Sequence, residues 1–245
     1  AAYTKVLSVH ATDTDLDTAA SVITGGTGTA DELLVTATGG TITTGIANMT
    51  AIEKITTVLA AGALTLVTVD ANIAAGKTLT IDGTSLDGDT LTVNAVAETN
   101  GTVAINVSKA TQAGAVIVTL GAGADTFTGT LATGVHTVTA TAGANTIITG
   151  TGVDIINVGT GQDTITVNAG TANTINFTLS THLVEMSATV TDWTKAKGKI
   201  VIDLADLNAG AKLQNLGSAD DAIAADDGID IITGPTDLAD SADSD

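Results

Sequence analysis

Thr149-Gly-Thr-Gly-Val-Asp-Ile-Ile-Asn157 and Val158-Gly-Thr-Gly-Gln-Asp-Thr-Ile-Thr166 are consecutive nine-residue segments with one shared pattern. In each segment a glycine is followed two positions later by an aspartate and four positions later by an isoleucine. The residues in these roles are Gly152, Asp154 and Ile156 in the first segment, and Gly161, Asp163 and Ile165 in the second. A fixed period of this kind is typical of repeat proteins, in which each repeat buries its aliphatic residue against the next repeat.

The same pattern extends beyond these two segments in both directions. Two copies before them keep the period of nine, an earlier copy begins at Leu120, and a later copy carries one inserted residue. The residues in the three roles are Gly134, His136 and Val138; Gly143, Asn145 and Ile147; Gly123, Asp125 and Phe127; and Gly170, Asn173 and Ile175. Agreement of all three roles is much more specific than the spacing of glycines alone.

Each role has a physical reason. Glycine permits left-handed backbone in a tight loop, which exposes carbonyl oxygens that can face an ion. The polar residue adds a side-chain oxygen, and the aliphatic residue begins a short strand that points inward. If two repeats make one turn, loops on the same side stack at about 4.8 Å. His136 then lies beside Asp154, and Asn145 lies beside Asp163. A cation between successive loops would offset repulsion within the aspartate column.

These residues resemble the nonapeptide Gly-Gly-x-Gly-x-Asp-x-aliphatic-x of the repeats-in-toxin (RTX) family, which folds as a calcium-bound parallel β-roll. The resemblance implies calcium as the cofactor. The first glycine of the motif is usually missing here, and each gap holds one carboxylate where the family often has two. We therefore expect fewer or weaker calcium sites than in a consensus roll. The expected ligand residues in the repeats are Gly123, Asp125, Asn145, Gly152, Asp154, Gly161 and Asp163.

Other segments resemble RTX regions more loosely. Thr24–Val35 reads as a copy with one insertion, which makes Asp31 a ligand candidate. Asp87-Gly-Asp89 between two strand patterns predicts either a second calcium loop or an ordinary hairpin turn. Val69–Gly83 resembles the β-segments that precede such repeats, and Val190–Leu204 resembles the segment that closes them.

Short alternating patterns such as Leu64–Val69, Thr90–Val93 and Ala115–Leu120 occur throughout the chain. We predict an all-β fold, a parallel β-roll or β-solenoid with degenerate nonapeptide repeats, in which the N-terminal part is either solenoid or sandwich-like. The predicted regions are a β-rich segment at 1–119, the calcium β-roll at 120–176, a closing β-segment at 177–217 and an acidic tail or linker at 218–245.

Composition narrows the classes of function. The chain has 27 acidic and 8 basic residues, a formal charge of −19 and 44% hydrophobic residues. This indicates a folded acidic chain whose charge either attracts divalent cations or simply keeps the protein in solution, and it leaves no basic patch for nucleic acid. Without cysteine it forms no disulfides or Cys-zinc sites, and no apolar run is long enough to predict a membrane span. With 2% aromatic residues and no catalytic motif, we expect no enzyme.

The composition and the repeats together resemble RTX-type surface-layer (S-layer) proteins. The implied function is a secreted structural protein of the bacterial exterior, an S-layer or fibre subunit that folds and self-assembles with calcium. Its expected partners are further copies of itself and cell-surface polysaccharide. Two alternatives are an adhesin that binds ice or glycans, and a non-catalytic part of a larger RTX protein.

Overall fold

The computed structural model describes residues 8–12, 16, 22–37, 40–42, 44–59, 62–86, 88–109, 113–168, 173–178, 186–191, 198–203 and 229–232. In chain order its strands are β1 (Ser8–Thr12), β2 (Ile23–Thr24), β3 (Glu32–Ala37), β4 (Gly40–Ile42), β5 (Met49–Thr50), β6 (Lys54–Leu59), β7 (Ala63–Val67), β8 (Thr78–Asp82), β9 (Thr90–Asn94), β10 (Thr102–Asn106), β11 (Val116–Thr119), β12 (Thr126–Thr128), β13 (His136–Thr139), β14 (Thr146–Ile148), β15 (Ile155–Val158), β16 (Gly161–Thr166), β17 (Asn173–Thr178), β18 (Met186–Thr191), β19 (Gly198–Asp203) and β20 (Ile229–Ile232). Two short helical elements among the described residues are α1 (Thr44–Ala47) and a 3₁₀ turn at Asp70–Asn72.

The described strands form two nine-stranded sheets and one two-stranded sheet. The first sheet has the order β1-β3-β6-β8-β10-β12-β14-β16-β18, and the second has the order β4-β7-β9-β11-β13-β15-β17-β19-β20. From β6 to β19, successive strands alternate between these two sheets, and neighbours within each sheet are parallel. Each turn of the chain therefore adds one strand to each sheet, which makes the fold a β-solenoid. The predicted all-β parallel solenoid is confirmed.

The solenoid includes the N-terminal part of the chain. β3, β6, β8 and β10 are parallel neighbours, as are β4, β7, β9 and β11. Both sheets continue across residue 120, because β10 pairs with β12 and β11 pairs with β13. Of the two alternatives for this region, solenoid and sandwich, the described strands form the solenoid. The boundaries at 119, 176 and 217 remain predictions, and Ile229–Ile232 within the predicted acidic tail forms β20 beside β19.

A single apolar core runs between the two sheets. Inward and outward residues alternate along each strand, as in β9, where Leu91 and Val93 are buried. In every repeat whose side chains are described, the residue in the aliphatic position is fully buried, as predicted. These residues are Phe127, Val138, Ile147, Ile156, Ile165 and Ile175. Burial of each such side chain contributes about 1.5–3 kcal/mol, so the stack is stabilised mainly by this continuous row.

The turns shorten along the chain. Aligned residues lie 24 apart from Thr78 to Thr102 and 18 apart from Asn145 to Asp163. Since 18 residues are two repeats of nine, the prediction that two repeats make one turn is confirmed. The longer early turns hold extra elements that are tied down by buried Asn72. Its Oδ1 accepts the Val69 N–H at 2.8 Å, and its Nδ2 donates to the carbonyls of Ile46 and Met49.

No helix in the described part of the chain is long and apolar enough to cross a membrane.

Candidate functional site

One column of polar side chains stands where the chain enters the first sheet. Asp125, Asn145 and Asp163 occupy the same register position in successive turns, next to the first paired residues of β12 and β14. All three point into the solenoid and are at most 2% exposed. We call these three residues the first polar column.

The side chains of the first polar column replace missing hydrogen bonds of the sheet. The N–H of Val103 donates to Asp125 Oδ1 at 2.7 Å, and the N–H of Asp125 donates to Asn145 Oδ1 at 3.0 Å. The N–H of Asn145 donates to Asp163 Oδ1 at 2.9 Å. Each side-chain oxygen therefore satisfies a backbone donor of the preceding turn, which a buried N–H requires.

A second polar column stands at the start of the second sheet and consists of His136, Asp154 and Asn173. The N–H of His136 donates to Asp154 Oδ1 at 3.1 Å, and the N–H of Asp154 donates to Asn173 Oδ1 at 2.8 Å. The predicted neighbours, His136 with Asp154 and Asn145 with Asp163, are both confirmed. The repeats thus bring their polar residues together in two columns.

Asp31 extends the arrangement to the N-terminal turns. It is fully buried beside Glu53 of the next turn, which accepts the Asp31 N–H through Oε2 at 2.8 Å. The Oδ2 of Asp31 accepts the N–H of Gly26 at 2.6 Å. The residue predicted from the degenerate copy Thr24–Val35 therefore has the same inward placement as the repeat aspartates.

Close approach between turns explains most of the repeat glycines. A Cβ on Gly123 would lie 1.9 Å from the Gly101 oxygen, and one on Gly152 would lie 2.0 Å from the Gly134 oxygen. A Cβ on Gly161 would lie 2.1 Å from the Gly143 oxygen. The expected left-handed backbone occurs at Gly161 and Gly143, with φ of 120° and 88°, but not at Gly123 or Gly152. There the expectation is wrong, because the space between stacked loops is what excludes a side chain.

The turns differ in whether the other terminal atom of the polar side chain, Nδ2 of asparagine or Oδ2 of aspartate, has a hydrogen-bond partner. Asn145 Nδ2 donates to the carbonyls of Ala142 and Gly143 in its own loop, at 3.1 and 3.2 Å. Asp125 Oδ2 accepts the N–H of Gly121 at 3.0 Å. In Asp154 and Asp163 the Oδ2 atom is buried and has no hydrogen-bond donor. The corresponding atom of Asn145 is a nitrogen, which donates to carbonyls of its own loop. The two aspartate oxygens have no such interaction.

Electrostatics makes the turn of Asp163 unfavourable for a bare anion. Burial raises the pKa of Asp163, although the N–H and side-chain amide of Asn145 act in the opposite direction. A buried carboxylate with an unsatisfied oxygen is costly until a proton or a cation lies beside it. A hard cation held by that oxygen and by loop carbonyls would do for Asp163 what the NH₂ group does for Asn145.

The residues present fit calcium only with few side-chain ligands. Among the described residues, no three of His, Asp and Glu come together as a metal-binding group. Calcium takes six to eight oxygens, so most would come from carbonyls and water, which favours weak binding. His136 reduces the fit of its turn further, because a nitrogen replaces the carboxylate. Its Nδ1 lies 2.9 Å from Asp154 Oδ1 without hydrogen-bond geometry, and its ring packs edge-on against Phe127.

Asp89 lies in the loop that leads into β9 of the second sheet, two residues before the register position that the second polar column occupies in later turns. Asp87 is outside the described residues, and Asp89 Oδ1 accepts the N–H of Gly62 from the previous turn at 2.9 Å. The hairpin alternative is wrong, because the flanking strands β8 and β9 belong to opposite sheets and do not pair. Asp89 therefore links two stacked loops in the structure, and calcium binding there stays a prediction.

The repeat pattern missed Glu98, which is fully buried in the loop before β10. Its Oε1 accepts the N–H groups of Asn100 and Gly101, at 3.1 and 2.7 Å, and its Oε2 has no donor. The available signal in the sequence was a glutamate close before a glycine and a strand, in a chain where nearly all acidic residues are aspartate.

Comparisons with family models, curated proteins and solved structures gave no match. The resemblance to the RTX family therefore rests on the repeat residues themselves.

Proposed function

We propose that the chain is a secreted, non-catalytic structural protein of the bacterial surface, an S-layer or fibre subunit that folds and self-assembles with calcium. The observation that carries the proposal is the pair of buried, donor-free oxygens, Asp154 Oδ2 and Asp163 Oδ2, in loops stacked turn upon turn. A cation at these oxygens would stabilise the folded stack, since the unfolded chain offers no such loops.

This arrangement couples folding to metal. Binding to the folded state alone stabilises it by an amount that grows with calcium concentration. Sites with few carboxylates respond in the millimolar range that is typical of extracellular calcium modules. The RTX resemblance likewise implies secretion to the cell surface, where such calcium concentrations occur.

Self-assembly is supported by the ends of the stack. Among the described strands, β1 and β4 at one end have one paired neighbour each, and so do β18 and β20 at the other end. A strand edge with unpaired N–H and C=O groups is a template for a further strand. Turns of a second copy stacked on these edges would continue both sheets.

A patch on the second sheet offers a lateral contact as well. Ile117 and Ile155 flank Thr137 in register, and Val135 lies beside Val153. These four aliphatic side chains are exposed. In a chain with a formal charge of −19, an uncharged apolar patch is where two copies can approach with least repulsion.

The test is negative-stain electron microscopy of the purified chain in millimolar calcium and in chelator. We expect sheets or filaments in calcium that disperse in chelator. The double variant Asp154→Asn/Asp163→Asn should assemble to the same extent in both, because its amides remove the need for the cation. Dispersed wild-type particles in both conditions would contradict the assembly proposal.

A cavity favours the second candidate function, a glycan-binding adhesin module. It has a volume of about 660 Å³ and lies in the N-terminal turns. Its lining includes the glycine-rich loop Gly26–Thr29, the carboxylate of Glu53 and the ammonium of Lys77. Hydroxyl, carboxylate and ammonium groups can all bind sugar hydroxyls. Monomeric protein that binds cell-surface polysaccharide and loses this binding in Glu53→Gln would favour this function over the lattice.

The outer face of the first sheet carries rows of threonines, which favour an ice-binding adhesin. Thr126, Thr146 and Thr164 lie in one row across β12, β14 and β16, and Thr128, Ile148 and Thr166 lie in the next. Thermal hysteresis of a monomeric sample, lost when Thr146 is replaced by lysine, would support this role.

A further inference from the structure

Glu98 is a buried carboxylate that the repeat motif does not include. It lies in the loop of residues 95–101, which joins β9 to β10, and it is fully buried. Its Oε1 is held by two backbone N–H groups of its own loop, while Oε2 has no hydrogen-bond partner. An unsatisfied buried carboxylate oxygen needs a positively charged or donating partner.

The next loop of the stack places the loop of Asp125 against the loop of Glu98. The would-be Cβ of Gly121 lies 2.9 Å from the Glu98 Cβ, and the N–H of Gly121 donates to Asp125 Oδ2. The N–H of Gly101 donates to Glu98 Oε1. The carbonyl oxygen of Gly101 lies 1.9 Å from where a Cβ on Gly123, in the loop of Asp125, would be. The two carboxyl groups are thus held by backbone groups of two loops in direct contact.

The two acids also act on each other electrostatically. Burial raises the pKa of Asp125, and the negative charge of Glu98 raises it further, while the N–H groups of Val103 and Gly121 act in the opposite direction. Neither acid pairs with Lys54, which lies beside Glu32 and Asp82, or with His136, which lies against Asp154. Two buried carboxylates without a cationic side chain repel each other.

We propose that Glu98 and Asp125 bind a hard divalent cation such as calcium between the loop of residues 95–101 and the loop of residues 120–125. Glu98 Oε2 supplies a free ligand atom, and Asp125 brings the second negative charge. Loop carbonyls and water complete the oxygen shell that calcium prefers. The inference goes beyond the proposed function, since this site does not need Asp154 or Asp163.

The test is Glu98→Gln, studied by equilibrium dialysis with radioactive calcium and by thermal unfolding in calcium and in chelator. Glutamine keeps the acceptor for Asn100 and Gly101 and replaces the free oxygen with an NH₂ group. We expect the variant to bind one calcium ion fewer per chain than the wild type. In chelator it should unfold at the same or a higher temperature, because the repulsion with Asp125 is removed.

Two further variants make the outcome specific. Asp154→Asn/Asp163→Asn should lose the calcium of the repeats and keep the ion at Glu98. Loss of calcium in that variant alone would overturn this inference and leave the proposed function standing, and loss in Glu98→Gln alone would do the reverse. If Glu98→Gln fails to fold, Glu98→Asp retains the charge on a shorter side chain and should bind the ion several-fold more weakly. Unchanged calcium count and affinity in these Glu98 variants would overturn the inference.

Discussion

Asn145 shows what a buried polar position in this stack requires. Its carbonyl oxygen accepts a backbone N–H from the turn before, and its NH₂ group donates to carbonyls of its own loop. An aspartate at the same position keeps the first interaction and loses the second. Asp163 is such a case, because its Oδ1 is bonded and its Oδ2 is not. An aspartate therefore completes its turn only where its second oxygen also finds a donor, as Asp125 Oδ2 does in the N–H of Gly121.

Stacked glycines give the first prediction at this scale. Gly152→Ala places a methyl group 2.0 Å from the Gly134 oxygen, so the two loops must move apart. We expect a loss of about 1–3 kcal/mol in the free energy of unfolding, as for other overpacked sites. The measurement is urea unfolding followed by circular dichroism.

Gly26→Ala is the matched control for that experiment. Its added Cβ would meet nothing closer than 3.5 Å, and its backbone is not left-handed. It should change stability by less than about 0.5 kcal/mol, as surface substitutions usually do. Equal effects of the two substitutions would show that the stacked loops are not in tight contact.

The pH dependence of stability follows from Asp163. Burial raises the pKa of this carboxyl in the folded protein, so the folded state binds the proton more tightly than the unfolded state. Its contribution to stability is present below the unfolded pKa and is lost as the pH rises through the folded pKa. In chelator, the stability of wild type relative to Asp163→Asn should therefore fall as the pH is raised from about 4 toward 7.

Thermal unfolding of both proteins across that range measures the difference. The comparison cancels the opposing effect of carboxyls whose pKa is lowered, such as Asp82 beside Lys54. Calcium should flatten the difference, because a bound cation favours the ionised form. A constant difference between the two proteins in chelator would contradict the placement of a buried ionised carboxylate.

At the residue scale, the nine-residue period predicted the neighbours of the repeat residues and missed residues outside the repeats. The neighbours His136–Asp154 and Asn145–Asp163 followed from two repeats per turn. The buried acid Glu98 lies in a loop of different length, so no spacing pointed to it. The close packing between loops could not be predicted either. The contact of Gly152 with Gly134 joins residues from different turns, and the sequence shows only the two glycines.

At the scale of elements, the strands of the repeats are too short to be stable alone. β12 and β14 have three residues each, and each contributes one fully buried side chain. Their stability must come from the parallel neighbours above and below, as in other solenoids. A defect in one turn should therefore weaken the adjacent turns as well.

Adjacent isoleucines in β15 test this dependence. Ile156 is fully buried and Ile155 is 37% exposed, so the same substitution probes both faces of one strand. Ile156→Ala should cost about 2–5 kcal/mol, because it leaves a cavity between the sheets. Ile155→Ala should cost less than about 0.5 kcal/mol. Urea unfolding of both variants measures the contrast, and similar losses would indicate that β15 faces the core differently.

Element type was predictable here, and strand pairing was only partly so. The alternation in Thr90–Val93 identifies a strand with one buried face, which β9 confirms. The same pattern fits antiparallel and parallel sheets, which is why Asp87–Asp89 suggested a hairpin. Parallel pairing followed only from the fixed period in the repeats, where inward residues must align turn by turn.

At the scale of the whole molecule, a parallel solenoid concentrates like residues. Each turn repeats the register of the last, so polar residues far apart in the sequence stand in columns, and the chain carries a formal charge of −19. Repulsion between these negative charges can be reduced in two ways, which respond differently to added salt. Any salt screens exposed charges, whereas under our proposal buried oxygens such as Asp154 Oδ2 are neutralised only by a cation that reaches them.

Thermal unfolding in calcium, magnesium and sodium chloride at equal ionic strength separates the two remedies. We expect calcium to raise the unfolding temperature most. A site with a dissociation constant near 1 mM gains about 1.4 kcal/mol in 10 mM calcium, which corresponds to several degrees for a chain of this size. Magnesium should act less, because it demands octahedral geometry and loses its water reluctantly. Asp154→Asn/Asp163→Asn should retain the sodium response and lose much of the calcium response. Equal shifts in all three salts would mean that screening of surface charge, and not a buried site, stabilises the stack.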